Sequence, residues 1–150
     1  VPGPVARYYT SQTEAVAGIN VRLSPSDQRV VDIHIFNGSG LDLSNAVERK
    51  IERIDFREDF RRAYMDEIGL IEYAPAVLPL YKKDFLAAVD KQAIIDRQYK
   101  VVVDYSYGTS SDILPELLHS LKVEQVPLNA HPSENKLAVL EAQSQAGLRQ

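Results

Sequence analysis

Hydrophobic positions along the chain follow two periods, one of two residues and one close to 3.6, and together they predict an α/β protein. Ile19, Val21 and Leu23 alternate with Asn20 and Arg22, and Val31, Ile33 and Ile35 alternate with Asp32 and His34. This predicts two half-buried strands paired as a hairpin. Their connection is dense in turn formers and places Ser24, Ser26 and Asp27 at one tip. Asn37 to Gly40 predicts a second tight turn, after which Ser44 is the expected N-cap of a helix with Val47, Ile51 and Ile54 on one stripe.

The strongest local signal runs from Tyr99 to Lys122. Val101, Val102 and Val103 form an unbroken apolar run, which predicts a strand covered on both faces, as in a parallel sheet. Asp104 ends it, Gly108 permits a sharp turn, and Ser110, Ser111 and Asp112 are the expected caps of the next helix. In that helix Ile113, Leu117, Leu118 and Leu121 recur at helical spacing, with Pro115 and Glu116 in the first turn and His119 and Lys122 in the last. Val123 to Leu128 predicts the returning strand of a right-handed crossover, with Pro127 pointing to an edge or a bulge.

Other elements are weaker. Arg7 to Ala17 predicts a short helix, and Leu78 to Val89 another with Tyr81, Phe85 and Val89 in register. Phe56, Phe60 and Tyr64 follow the Ile51 stripe and are expected to be buried. Gly69 is expected to break the chain, which puts the division between two units near 69–73, the first covering 1–72 and the second 73–150. A last helix is expected at Leu137 to Leu140, and the tail from Gln143 to Gln150 is polar.

Composition narrows the function classes. The 150 residues are 45% hydrophobic and 25% charged, the balance of a globular domain, and no apolar run approaches the length of a membrane span. Net charge is −4, so the basic footprint of a nucleic-acid binder is missing and neither nucleic acid nor membrane is an expected partner. There are no cysteines and no signal-peptide pattern, which makes a cytoplasmic location the expectation. The only methionine is Met65, so the chain reads as a piece of something longer. His34, His119 and His131 lack the spacing of a zinc site, and the Gly108 turn lacks the several glycines of a dinucleotide cradle. Asn37-Gly38-Ser39 reads as a turn.

Taken together, these segments resemble the α-D-phosphohexomutase superfamily, the phosphomannomutase and phosphoglucomutase enzymes. The resemblance is carried by Val101 to Pro132, which is similar to the first half of the family's second domain. Ala17 to Val21 resembles its glycine-led strand into the catalytic loop, and His34 to Asn37 with Gly40 to Ser44 the strand, turn and helix after it. The fold this implies is of mixed-sheet, three-layer α/β/α units, both incomplete. The subgroup it resembles most has a mutase-like module following a nucleotidyltransferase, as in mannose-1-phosphate guanylyltransferase fusions.

In that family the catalytic loop reads Thr-Ala-Ser-His-Asn-Pro, and its serine carries a phosphoryl group and helps bind magnesium. The flanking strands put Ser24 on that serine, with Arg22, Leu23, Pro25, Ser26 and Asp27 in place of the neighbours. The resemblance thus implies Ser24 as the candidate phosphoserine and magnesium ligand of a parent that handles sugar phosphates. The family's magnesium loop and phosphate-binding domain match nothing within the chain, so no cofactor is expected to be bound by this chain itself. Two functions follow: a fragment of a phosphohexomutase, inactive alone, or a degenerate scaffolding or regulatory module of a guanylyltransferase. Incomplete sheets with open edges are expected to favour self-association.

Overall fold

The computed structural model describes residues 1–24, 27, 29–133 and 136, and the expected helix at Leu137 to Leu140 and the polar tail lie outside them. In order along the chain come α1 (Gly3–Ser11), β1 (Ala17–Leu23), β2 (Val31–Asn37), α2 (Asn45–Phe56), a 3-10 turn (Met65–Glu67), α3 (Val77–Ala88), α4 (Lys91–Asp96), β3 (Lys100–Asp104), a 3-10 turn (Thr109–Asp112), α5 (Leu114–Ser120) and β4 (Glu124–Leu128). The chain is α/β, as its patterning predicts. β1 and β2 form an antiparallel pair and β3 and β4 a parallel pair, in separate two-stranded sheets. No helix among the described residues is long and apolar enough to cross a membrane.

The first helix starts and ends earlier than its ragged apolar pattern suggests. Pro4 lies in the first turn, where its missing N–H costs nothing, and the helix stops at Gln12, whose N–H reaches the Tyr9 carbonyl. α1 buries Val5 and Thr10. Val5 joins Ile113 and Leu117 of the α5 region in the main apolar cluster, with Val77, Leu78, Tyr81 and Leu86 of α3 packed around it. Tyr8 meets Tyr81 edge-on at 5.3 Å, and its hydroxyl donates to Asp84 Oδ2 at 2.6 Å. That hydrogen bond, more than any burial, pushes the Tyr8 pKa up to about 12.

On its other side α1 packs against the hairpin end. Gly18 and Phe36 are register partners, and a Cβ at Gly18 would fall 2.1 Å from the Phe36 ring and 2.6 Å from Thr10 Oγ1. Only glycine allows this approach. Arg7 lies with its guanidinium 5.2 Å from the centre of the Phe36 ring, donates to the Gly40 carbonyl at 3.2 Å and pairs with Asp42. Gly40 has φ +73°, and a Cβ there would stand 2.4 Å from the Arg7 carbonyl oxygen. Asn37 organises this turn by accepting from the N–H groups of Ser39 and Leu41.

Several expectations of burial fail because, among the described residues, no second layer covers the faces concerned. Val101 and Val103 are half-buried, but Val102 is 68% exposed, because its side of β3 is left uncovered. The aliphatic face of the hairpin is likewise open. α2 begins after Ser44 as expected, yet Ser44 makes no side-chain cap, and no residue of the helix is fully buried. Phe56, Phe60 and Tyr64 are exposed. α3 matches its expected span, with Tyr81 and Phe85 stacked at 6.1 Å. Asp90, whose carboxylate accepts from the Ala93 N–H at 3.0 Å, caps an unexpected helix, α4.

Ser110, Ser111 and Asp112 do not cap α5 but form the 3-10 turn before it, where Ser111 Oγ donates to the Gly108 carbonyl. α5 itself ends in a Schellman motif: the Val123 N–H donates to the Leu118 carbonyl and the Lys122 N–H to that of His119. Lys122 therefore lies beyond the helix, at φ 54°, where a Cβ is unfavourable. Lys122→Gly is expected to stabilise the protein by about 0.5–1 kcal/mol. A lowered urea midpoint for that variant would contradict the assignment.

Candidate functional site

Ser24 follows the last residue of β1, where the hairpin leaves its ladder. Its backbone N–H donates to the Val30 carbonyl at 2.8 Å, and the Val30 N–H donates to the Asp27 carbonyl at 2.9 Å. The residue is only 8% exposed. Of its neighbours in the loop, Pro25, Ser26 and Gln28 lie outside the described residues. Asp27 accepts from the Arg29 backbone N–H at 3.0 Å, from its Nε at 3.0 Å and from its Nη2 at 2.8 Å. A planar fork on a carboxylate is the strongest form of this contact. On the strands behind, Arg22 and Asp32 are register partners 3.6 Å apart.

Both arginines flanking Ser24 in sequence are therefore engaged by carboxylates. The Arg29 guanidinium, with its backbone N–H, holds Asp27 below the usual carboxylate range. A carboxyl whose pKa is lower folded than unfolded stabilises the folded form above the unfolded pKa and loses that contribution as pH falls through the folded value. The Asp27–Arg29 contact is thus expected to persist on acidification past 3.8 and to break only below it. An NMR titration of the Asp27 carboxyl carbon with its midpoint above 3.8 would show the contact to be absent.

The donor set around Ser24 does not fit magnesium by itself. A hard divalent cation takes six or more oxygens, and the one described loop carboxylate, Asp27, is bound to Arg29. Nowhere among the described residues do three His, Asp or Glu side chains assemble in a way that could hold a metal ion.

The second polar cluster lies at the carboxyl ends of β3 and β4, where ligands bind in open α/β sheets. Asp104 Oδ1 accepts from the Ser106 N–H at 2.8 Å and from Asn129 Nδ2 at 3.0 Å, and these bonds keep its pKa low. Ser106, Tyr107 and Asn129 all have φ near 50°. The Tyr107 N–H donates to the Asn129 carbonyl at 2.9 Å, and the buried Tyr105 donates its hydroxyl to Gln125 Oε1 at 2.7 Å. Asp104 and Ser110 are thus turn residues, and the cluster binds itself. Asn129 was not singled out by the sequence; an asparagine directly after a strand is its only local signal.

Comparison with known proteins bears on both loops together. A phosphoglucomutase/phosphomannomutase from Thermococcus kodakarensis is 34% identical over 131 residues, which cover 87% of this chain. A probable phosphoglucosamine mutase from Methanosphaera stadtmanae is 32% identical over 132 residues, or 88% of the chain. This chain is homologous to part of a phosphohexomutase. A further probable phosphoglucosamine mutase, from Thermococcus gammatolerans, is 27% identical over 149 residues and covers 98% of the chain. No protein-family model matches. The phosphohexomutase-like chain spans 28%, 29% and 32% of the lengths of these three relatives.

Proposed function

We propose that this chain is the part of a cytoplasmic, sugar-phosphate-handling phosphohexomutase that carries the catalytic-loop serine, Ser24, and that the chain alone does not isomerise hexose phosphates. The observation that carries this reading is the similarity to a phosphoglucomutase/phosphomannomutase over 87% of the chain but only 28% of that relative. Phosphoryl transfer depends on a cationic clamp for the developing charge and on in-line positioning of donor and acceptor. A serine on one loop, with its flanking arginines already paired to Asp27 and Asp32, provides neither. In a longer polypeptide the remaining phosphate-binding and magnesium-binding groups would come from outside these residues.

A second reading makes the chain a scaffolding or regulatory module attached to a mannose-1-phosphate guanylyltransferase. The burial of Ser24 at 8% exposure favours it, because a phosphoserine must be reached by substrate.

The test is direct. The chain incubated with magnesium and either mannose 1-phosphate or glucose 1-phosphate is expected to yield no 6-phosphate. Turnover that disappears in Ser24→Ala would overturn the claim of inactivity. In a longer protein containing the chain, a phosphoryl group on Ser24 by intact mass supports the mutase reading. An unmodified Ser24, with guanylyltransferase activity unchanged in Ser24→Ala, supports the module.

A further inference from the structure

Ser24 and Arg22 belong to one face of the hairpin. The bond from the Ser24 N–H to the Val30 carbonyl carries the ladder one rung beyond the Leu23↔Val31 pair, and residues two apart on a strand point the same way. Asp32, the register partner of Arg22, and His34, the partner of Asn20, lie on the same polar face, while Ile19, Val21 and Leu23 occupy the other.

The two arginines nearest Ser24 are held very differently. Arg29 is committed: its Nε and Nη2 fork onto Asp27 at 3.0 and 2.8 Å, and its backbone N–H donates to the same carboxylate. Arg22 approaches Asp32 through Nε alone, at 3.6 Å, which is too long for a hydrogen bond. No hydrogen bond to a described residue engages its two terminal nitrogens, and its side chain is 55% exposed. A guanidinium carries its donors in a planar fork that matches phosphate oxygens as well as carboxylates.

We propose that Arg22 is the residue that holds a phosphoryl group on Ser24, its terminal nitrogens binding the phosphate oxygens while Nε keeps its place beside Asp32. The proposal rests on the reading of Ser24 as a phosphoserine. Three features select Arg22. It shares the face of Ser24 and lies about 6–7 Å along the strand, a gap that a phosphoserine and an arginine close from both ends. Its terminal donors are unspent, whereas Arg29 would have to break a two-pronged contact to serve. Finally, Ser24 is only 8% exposed, so a group of charge about −2 at that position needs a cation on the same face in place of the water it lacks. His34, the other basic residue of the face, is four residues beyond Val30, about 13 Å along the ribbon and out of reach. Asp32 acts through Arg22 by fixing the direction in which the guanidinium points.

The test uses the 150-residue chain with phosphoserine installed at position 24 by synthesis or nonsense suppression, so it requires no mutase activity. Titration followed by phosphorus NMR is expected to place the phosphate midpoint about one pH unit lower in the wild-type chain than in Arg22→Gln. Arg22→Lys should fall between the two, and Arg29→Gln should match wild type. Far-UV circular dichroism checks that the variants fold. If Arg22→Gln does not, the wild-type chain decides alone: the Arg22 Nε–H resonance should move on phosphorylation and that of Arg29 should not. Equal midpoints in wild type and Arg22→Gln, a larger rise in Arg29→Gln, or an unmoved Arg22 resonance would each overturn the proposal. A Ser24 that never carries phosphate in a longer protein would instead remove the phosphoserine reading and leave the titration result standing.

Discussion

Phe36→Ala is expected to destabilise the protein by about 3–5 kcal/mol, a large share of a typical domain's stability. Phe36 is 1% exposed, the ring against which α1 and the hairpin are fitted. Arg7 covers it with a guanidinium, and Gly18 gives up its side chain to admit it. Truncation removes the transfer energy of the ring, leaves a cavity and deprives Arg7 of its aromatic platform. The same geometry predicts coupling. Gly18→Ala alone drives a methyl into the ring and is expected to cost about 1–3 kcal/mol, but with Phe36→Ala already made the clash with the ring is gone and only the contact with Thr10 Oγ1 at 2.6 Å remains, so the second loss should be smaller. Urea unfolding followed by far-UV circular dichroism, with tyrosine as the near-ultraviolet probe since the chain has no tryptophan, measures all four corners of the cycle. Strictly additive losses would show that Gly18 and Phe36 do not meet.

The parts of this fold legible in the sequence are those set by neighbours along the chain. Alternation from Ile19 to Leu23 and from Val31 to Ile35 predicts the hairpin, and the observed register keeps the aliphatic residues of both strands on one face, which a one-residue slip would exchange. The helical spacing of Ile113, Leu117 and Leu121 found three buried residues. Burial itself was not legible where it depends on partners distant in sequence. Val102 looks like a fully covered strand residue and is exposed, because a run of three valines reports what the strand could bury, not whether a second layer is there. The same holds for Phe56, Phe60 and Tyr64. For the candidate site, Ser24 was placed by its flanking strands, but the forked Asp27–Arg29 contact was not, since a Pro-Ser-Asp turn is common and the fork depends on the fold of the loop. Likewise, the left-handed residues Ser106, Tyr107 and Asn129 carry no glycine to announce them.

Leu117→Ala, the second large effect, decides what holds the helical layer together. Leu117 is buried with Val5 and Ile113, and α3 residues from Val77 to Leu86 pack around them. Its removal is expected to cost about 2–5 kcal/mol. Lys82 and Glu116 form an ion pair across the same helices, and Glu116 remains largely exposed in it. The Glu116 side chain is 66% exposed but that of Lys82 only 15%, so the pair is half open to water, and Glu116→Ala should cost about 1 kcal/mol, less than Leu117→Ala. The two losses should also differ in reach. Removing Glu116 affects only a surface contact, whereas a cavity at Leu117 takes support from Val5 and loosens α1. Hydrogen exchange at the α1 amides is therefore expected to accelerate in Leu117→Ala and to stay near wild type in Glu116→Ala. Equal effects of the two substitutions on stability and on α1 exchange would mean that charge pairing, not apolar burial, joins α1 and α3 to α5.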